Sequence, residues 1–357
     1  MSWLPKIGSE FLQLSEGIDL EPLTALAGVL EFLSSLLLCL LALYLAVRIP
    51  RTSMIHSNLR ILLVSMFLAY TSIAICRLLP QCFDEAPIPI FLQTIAELSL
   101  SFITIGICLE RGCAYLFLHH YEAMSGRIGF AISALNVILC TGLAFSTLSK
   151  YGAISEVLEN KGPHATLVNK FNYDIIFYAD ITKLLASAVS LLFLTTLKAR
   201  RFESHGFAEL ASLGARYQSR ENMVTSRALK LVFMLAVFSA AFALPFALIR
   251  CSISQSSIRN ERLERLLSST VQFINQTIAI LTALVLIKFL PSLRKQTKAD
   301  FCAWRPKRRS AIYASMDDVK LTDAIYDTRL HFQTLQSIWG MTSSSEKLNM
   351  DVNCNYM

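Results

Sequence analysis

Residues Ile88–Arg111 read IPIFLQTIAELSLSFITIGICLER, an apolar run that stops at an acid followed by a base. As a helix, Ile88–Leu109 would rise about 33 Å, enough to cross roughly 30 Å of hydrocarbon. Glu97 is its one charged residue before Glu110-Arg111. After that pair the chain turns apolar and aromatic again, through Gly112 to Leu118, and finishes in His119-His120-Tyr121-Glu122. The run therefore reads as a membrane span with an acid-base pair at its exit.

Six further runs of the same kind occur: Thr24–Val47, Leu59–Leu79, Ile128–Leu148, Phe171–Leu197, Leu229–Ile249 and Leu267–Leu290. The whole chain of 357 residues is 54% hydrophobic and only 17% charged, with a mean hydropathy of +0.49. A soluble domain carries about a quarter charged residues. The runs are continuous, whereas barrel strands alternate. The expected fold is an all-α membrane protein, a seven-transmembrane helix bundle.

Lys and Arg set its orientation. Segments 49–57, 111–127, 198–228 and 291–310 hold 16 of them; segments 1–23, 80–87, 150–171 and 251–266 hold 7, beside 10 acids. Positive charge stays inside, so the amino terminus is expected to be extracellular and the carboxyl terminus cytoplasmic. The net +7 is then largely a charge of the cytoplasmic face, and no nucleic-acid partner is expected. The first 23 residues lack a basic start followed by an apolar core, which argues against a cleavable signal and makes the first span its own insertion signal.

The chain divides accordingly. Residues 1–23 form an outer tail, 24–290 the bundle, 291–304 a juxtamembrane amphipathic helix, and 305–357 a polar cytoplasmic tail expected to be largely disordered. The outer loops are too short for a binding domain, so an outside ligand would be held among the helices. In SLRKQTKADFCAW, Leu293, Thr297, Phe301 and Trp304 recur at helical spacing beside Arg294, Lys295 and Lys298, as in a helix lying on membrane lipid. Cys302 there is a palmitoylation candidate. The basic segment 198–228 reads either as a solvated helix continuing the sixth span or as a docking surface, and the two are compatible. Cys82 and Cys251 fall in outer loops, where a disulfide or two free thiols are both open. Cys39, Cys76, Cys108 and Cys140 read as small packing residues.

Charges inside the spans carry the functional signal, because each is disfavoured by roughly 2.5–3.5 kcal/mol on insertion scales. At 1.5 Å per residue from the outer helix ends, Glu31 lies about 10 Å deep, Glu97 and Asp180 about 13 Å, Lys183 about 18 Å, and Asn275 and Gln276 about 12–14 Å. Several helices thus present polar groups at one level, and an outer-half cavity that binds a small molecule would satisfy them together. The plainer alternatives are an internal Asp180–Lys183 pair at i,i+3, a hydrogen bond from Glu97 to a neighbouring helix, and a bundle contact or snorkelling for Glu31. Pro245 should kink the sixth helix about one turn from its outer end. At Glu110-Arg111 the plain reading is an Arg snorkelling to the headgroups beside its neutralising acid. A charge pair at the mouth of a bundle can also exchange partners when a neighbouring helix moves. His119 and His120 are adjacent rather than at metal-ligand spacing, so neither an enzyme nor a cofactor is expected.

ERGCAYLFLHHYE resembles the Glu-Arg, Ala, then Tyr-Glu pattern after the third span of nematode serpentine chemoreceptors of class epsilon. ARYQSREN, Ala215–Asn222, is similar to the Arg-Tyr-Gln…Glu-Asn element before the sixth span in that class and its alpha-type relatives. HSNLRILL, His56–Leu63, resembles their entry to the second span. The resemblance implies a G-protein-coupled receptor for environmental chemicals, at the plasma membrane of sensory neurons and their cilia. It also implies that Glu110 and Arg111 sit at the cleft for a heterotrimeric G protein, with Arg216, Tyr217, Gln218, Glu221 and Asn222 at the inner end of the sixth helix. Segment 150–171 has no Cys, and the seventh span has no Asn-Pro-x-x-Tyr, so the rhodopsin scheme does not transfer wholesale. A seven-span ligand-gated channel or transporter is the alternative.

Overall fold

The structure is a computed structural model and describes residues 20–52, 55–82, 87–116, 126–150, 166–202, 213–254 and 261–304. These residues form α1 (Glu21–Arg48), a 3-10 turn (Ile49–Arg51), α2 (Ser57–Cys82), α3 (Pro87–Leu116), α4 (Arg127–Lys150), α5 (Thr166–Phe202), α6 (Leu213–Ser254), α7 (Glu261–Phe289) and α8 (Pro291–Trp304). No strand occurs among them. Helices α1 to α7 each contain a segment long and apolar enough to cross a membrane. The protein is an all-helical, multi-pass membrane protein.

The chain falls into two compact units, Met1–Ala299 and Asp300–Met357. The first holds all seven spans; of the second only residues 300–304 are described. The segment 305–357, expected to be a tail, lies outside the described residues.

Within the bundle α1 packs on α2 and α7, α3 on α2, α4 and α5, and α6 on α5 and α7. The burial pattern is inverted relative to a water-soluble domain. Leu36, Leu40 and Leu43 of α1 and Phe130, Leu135 and Ile138 of α4 are exposed, while Glu31, Ser34, Gln93, Asn136, Asp180 and Gln276 are buried. Lipid tails are as apolar as Leu, so aliphatic side chains face outward at no cost. Polar groups have no partner in hydrocarbon and turn inward to one another.

Several boundaries differ from those read in the sequence. Helix α5 continues to Phe202 and α6 starts at Leu213, so most of 198–228 is helix, as the reading of an extended sixth span had it. Helix α6 stays helical through Pro245 and on to Ser254, which puts the proline more than two turns from the helix end rather than about one. Short helix α8 starts at Pro291, where a missing N–H costs nothing. It folds back on the first helix: Leu293 is buried, the Tyr44 hydroxyl donates to Thr297 Oγ1 at 3.3 Å, and Gln296 Nε2 donates to the Arg51 carbonyl at 3.1 Å. We refer to the end of the bundle from which α8 departs as the α8 end.

One helix contact depends on a missing side chain. The Gly129 N–H at the start of α4 donates to Asn58 Oδ1 of α2 at 3.0 Å. A Cβ on Gly129 would lie 2.6 Å from the Asn58 carbonyl oxygen, whereas a Cβ on Gly142 would meet nothing within 4 Å. Gly129→Ala must push backbone from backbone and is expected to destabilise by about 1–3 kcal/mol. Thermal melts of the detergent-purified protein check this: Gly129→Ala lowers the Tm clearly more than Gly142→Ala, and equal shifts would refute the close approach.

Candidate functional site

Two polar clusters lie inside the bundle at different levels. The first surrounds a cavity of about 30 Å³ lined by α1, α2, α3, α5 and α7. All five residues proposed for ligand contact from the sequence line it: Glu97, Asp180, Lys183, Asn275 and Gln276. Glu97 Oε1 accepts from Gln93 Nε2 at 2.7 Å, one turn back on α3, and from Gln272 Nε2 of α7 at 3.0 Å. Its alternative reading, a hydrogen bond to a neighbouring helix, is therefore realised. Gln276 accepts from the Ser34 hydroxyl and donates to Ser35 Oγ at 2.7 Å, tying α7 to α1.

The predicted internal pair does not form. No ion pair joins Asp180 to Lys183 among the described residues; Lys183 Nζ reaches across to Ser239 Oγ of α6 at 3.3 Å instead. Ser239 in turn donates to Asn275 Oδ1 at 2.6 Å, so one hydroxyl links α5, α6 and α7. The long flexible arm of Lys183 reaches from α5 to this serine on α6. Asp180 is only 5% exposed, and its Oδ2 has no hydrogen-bond partner. Glu31 is a bundle contact rather than a snorkelling group: its carboxylate lies 3.5 Å from Arg77 Nε, and Arg77 Nη2 donates to Ser268 Oγ at 3.2 Å.

The second cluster lies at the α8 end, about 21 Å along α3 from Glu97 at the helical rise. Glu110 and Arg111 are 1% and 3% exposed, too enclosed for an Arg snorkelling to headgroups. Arg111 forms a two-pronged pair with Glu110, Nε to Oε2 at 2.5 Å and Nη2 to Oε1 at 2.6 Å. Its remaining nitrogen, Nη1, donates to Asn222 Oδ1 at 3.1 Å and Thr225 Oγ1 at 3.0 Å, both on α6. Asn222 Nδ2 closes the circuit on the Ala114 carbonyl of α3 at 3.3 Å. The planar guanidinium can serve an acid on its own helix and two acceptors on another at once, which an ammonium could not match.

Sequence reasoning missed Thr225, Ser239, Ser34, Ser35, Gln93 and Gln272. Helical spacing held a signal for three of them, since Gln93 and Gln272 are i±4 partners of Glu97 and Gln276, and Thr225 is three residues past Asn222. Arg216, Tyr217, Gln218 and Glu221 fall in the first turns of α6, and their side chains lie outside the described residues. The same holds for Cys82, Cys251 and Cys302, near or at the ends of α2, α6 and α8, and residues 117–125 with His119 and His120 are not described. Among the described residues no group of three or more His, Cys, Asp or Glu side chains could hold a metal ion.

No protein-family model matches the chain, and neither does any curated protein.

Coupling between α3 and α6 through Arg111 can be measured. In a double-mutant cycle of Arg111→Leu and Asn222→Leu, the interaction energy from thermal melts is expected to be about 1–3 kcal/mol, the range for a charge-assisted buried hydrogen bond. Additive effects of the two substitutions would show that the contact contributes nothing.

Proposed function

We propose that this protein is a chemosensory receptor of the G-protein-coupled type. A small ligand occupies the cavity at Glu97, Asp180, Lys183, Asn275 and Gln276, and a heterotrimeric G protein engages the α8 end. The observation that carries this reading is that α6 is tied to its neighbours at both levels, through Ser239 beside the cavity and through Asn222 and Thr225 at the α8 end. A displacement of α6 that rearranges one cluster must disturb the other.

Between them lies a buried apolar layer that includes Ile103 and Ile107 of α3, Leu229, Val232 and Phe233 of α6, and Ala283 of α7. Such a layer supports a signalling bundle over a channel or transporter, whose polar lining should run through both halves. The circuit of Arg111, Asn222 and Thr225 then holds the α8 end shut. Ligand binding shifts a pre-existing equilibrium towards states in which that circuit is broken and the G protein is admitted.

The charge bias of the connecting segments supports an extracellular amino terminus and a cytoplasmic α8 end. The resemblance of ERGCAYLFLHHYE, ARYQSREN and HSNLRILL to class epsilon serpentine receptors supports an environmental chemical as ligand, and display at the plasma membrane and cilia of sensory neurons. The lock residues supply the test. In membranes from cells co-expressing this chain with individual Gα subunits, Asn222→Ala combined with Thr225→Val should raise basal nucleotide exchange about 3–10-fold, the effect of roughly 0.7–1.4 kcal/mol on the closed-open balance. If no Gα subunit responds to wild type or to the unlocked variant at equal surface expression, the coupling assignment fails.

A further inference from the structure

The cavity contains an imbalance of charge and of hydrogen bonds. Its lining has two carboxylates, Glu97 and Asp180, against one ammonium, Lys183. Lys183 spends one N–H on Ser239 of α6, and Glu97 accepts both of its hydrogen bonds on Oε1. Asp180 is more than nine-tenths buried and accepts no hydrogen bond at Oδ2. Lys183 and Arg250 are the cations whose field acts on Asp180, and only Lys183 lines the cavity.

A buried carboxylate oxygen without a donor is costly, and the deficit here is of an N–H or O–H donor at Asp180 Oδ2. The available space bounds the answer. About 30 Å³ is room for roughly two water-sized groups. A carboxylate or a phosphate would meet the two carboxylates of the lining and is of the wrong sign.

We propose that the cavity recognises a protonated primary amine, its ammonium set between Asp180 and Glu97 and the carbon bearing it filling the remaining space. An ammonium brings three donors, and it can place them on Asp180 Oδ2 and the Glu97 carboxylate, the two acidic groups of the lining. The apolar part of the lining, Leu38, Ile73, Leu100 and Ala279, then meets the alkyl carbon. This inference rests on the ligand-cavity assignment above and names the chemical class that cavity takes.

Thermal melting of the full-length, detergent-purified protein tests it without any G protein. Methylammonium chloride in the tens of millimolar should raise the Tm of wild type by about 2–4 °C over sodium chloride at the same ionic strength. Methanol at equal concentration should give no shift. Asp180→Asn and Glu97→Gln, which keep the shape of each side chain, should each abolish the methylammonium shift. Where either variant fails to fold, the wild-type comparison of methylammonium with sodium and methanol still decides. Stabilisation by sodium equal to that by methylammonium would overturn the proposal in favour of a metal-cation site, and equal stabilisation by methanol would show a site indifferent to charge. An amine shift without G-protein response in any Gα pairing would remove the receptor reading and leave this site standing. The converse result would remove this site alone.

Discussion

Hydrocarbon offers no hydrogen bonds, and that single condition organises the bundle. Most polar side chains described within the spans find a partner on another helix or on their own backbone, and Asp180 Oδ2 is an exception. Glu31 finds Arg77, Glu97 finds Gln93 and Gln272, and Gln276 finds Ser34 and Ser35. Threonines such as Thr71, Thr94 and Thr104 return their hydroxyls to carbonyls four residues back. The aliphatic residues need no such arrangement and form the outer surface. Because apolar side chains gain little by leaving lipid for one another, close packing and polar contacts between helices decide which faces meet. The contact of Gly129 with the Asn58 backbone is one case, and the hydroxyl of Ser239 between Lys183 and Asn275 is another.

Under the same condition a buried charge ties helices together. Glu110 satisfies only two nitrogens of the Arg111 fork. The third requires α6. Separating α6 from α3 therefore exposes a guanidinium that must be given to water or to another protein. On the receptor reading proposed above, breaking that contact is the step that would give the α8 end a second arrangement. Helix α6 meets α5 and α7 beside the polar cavity and α3 at this circuit, with an apolar layer between the two levels.

The fold was legible because a membrane span advertises itself by length and composition. Seven apolar runs gave seven helices, and their centres needed no correction. The ends were not legible: Leu213–Asn222 and Glu261–Leu266 are polar yet helical, since beyond the bilayer a helix is held by its own hydrogen bonds and by continuity with the span. For the site, depth arithmetic grouped Glu97, Asp180, Lys183, Asn275 and Gln276, and they do share one cavity. The arithmetic could not tell which partner each would take. An i,i+3 spacing made Asp180 and Lys183 look self-sufficient, but the lysine's long arm reached a serine on another helix. Ser239 and Ser34 were hidden for the same reason that they work. They are small and neutral, cost little in a span, and acquire meaning only from the helix that faces them.

Orientation across the membrane carries the functional reading, because the cavity must meet the outside and the Arg111 circuit the cytoplasm. One epitope placed before Met1 and another after Met357, stained on intact and then on permeabilised cells, measures it directly. The amino-terminal epitope is expected to be visible on intact cells and the carboxyl-terminal one only after permeabilisation. The reverse pattern would contradict the reading outright. It would turn the cavity towards the cytoplasm and the α8 end away from any G protein, and would direct attention to electrophysiology.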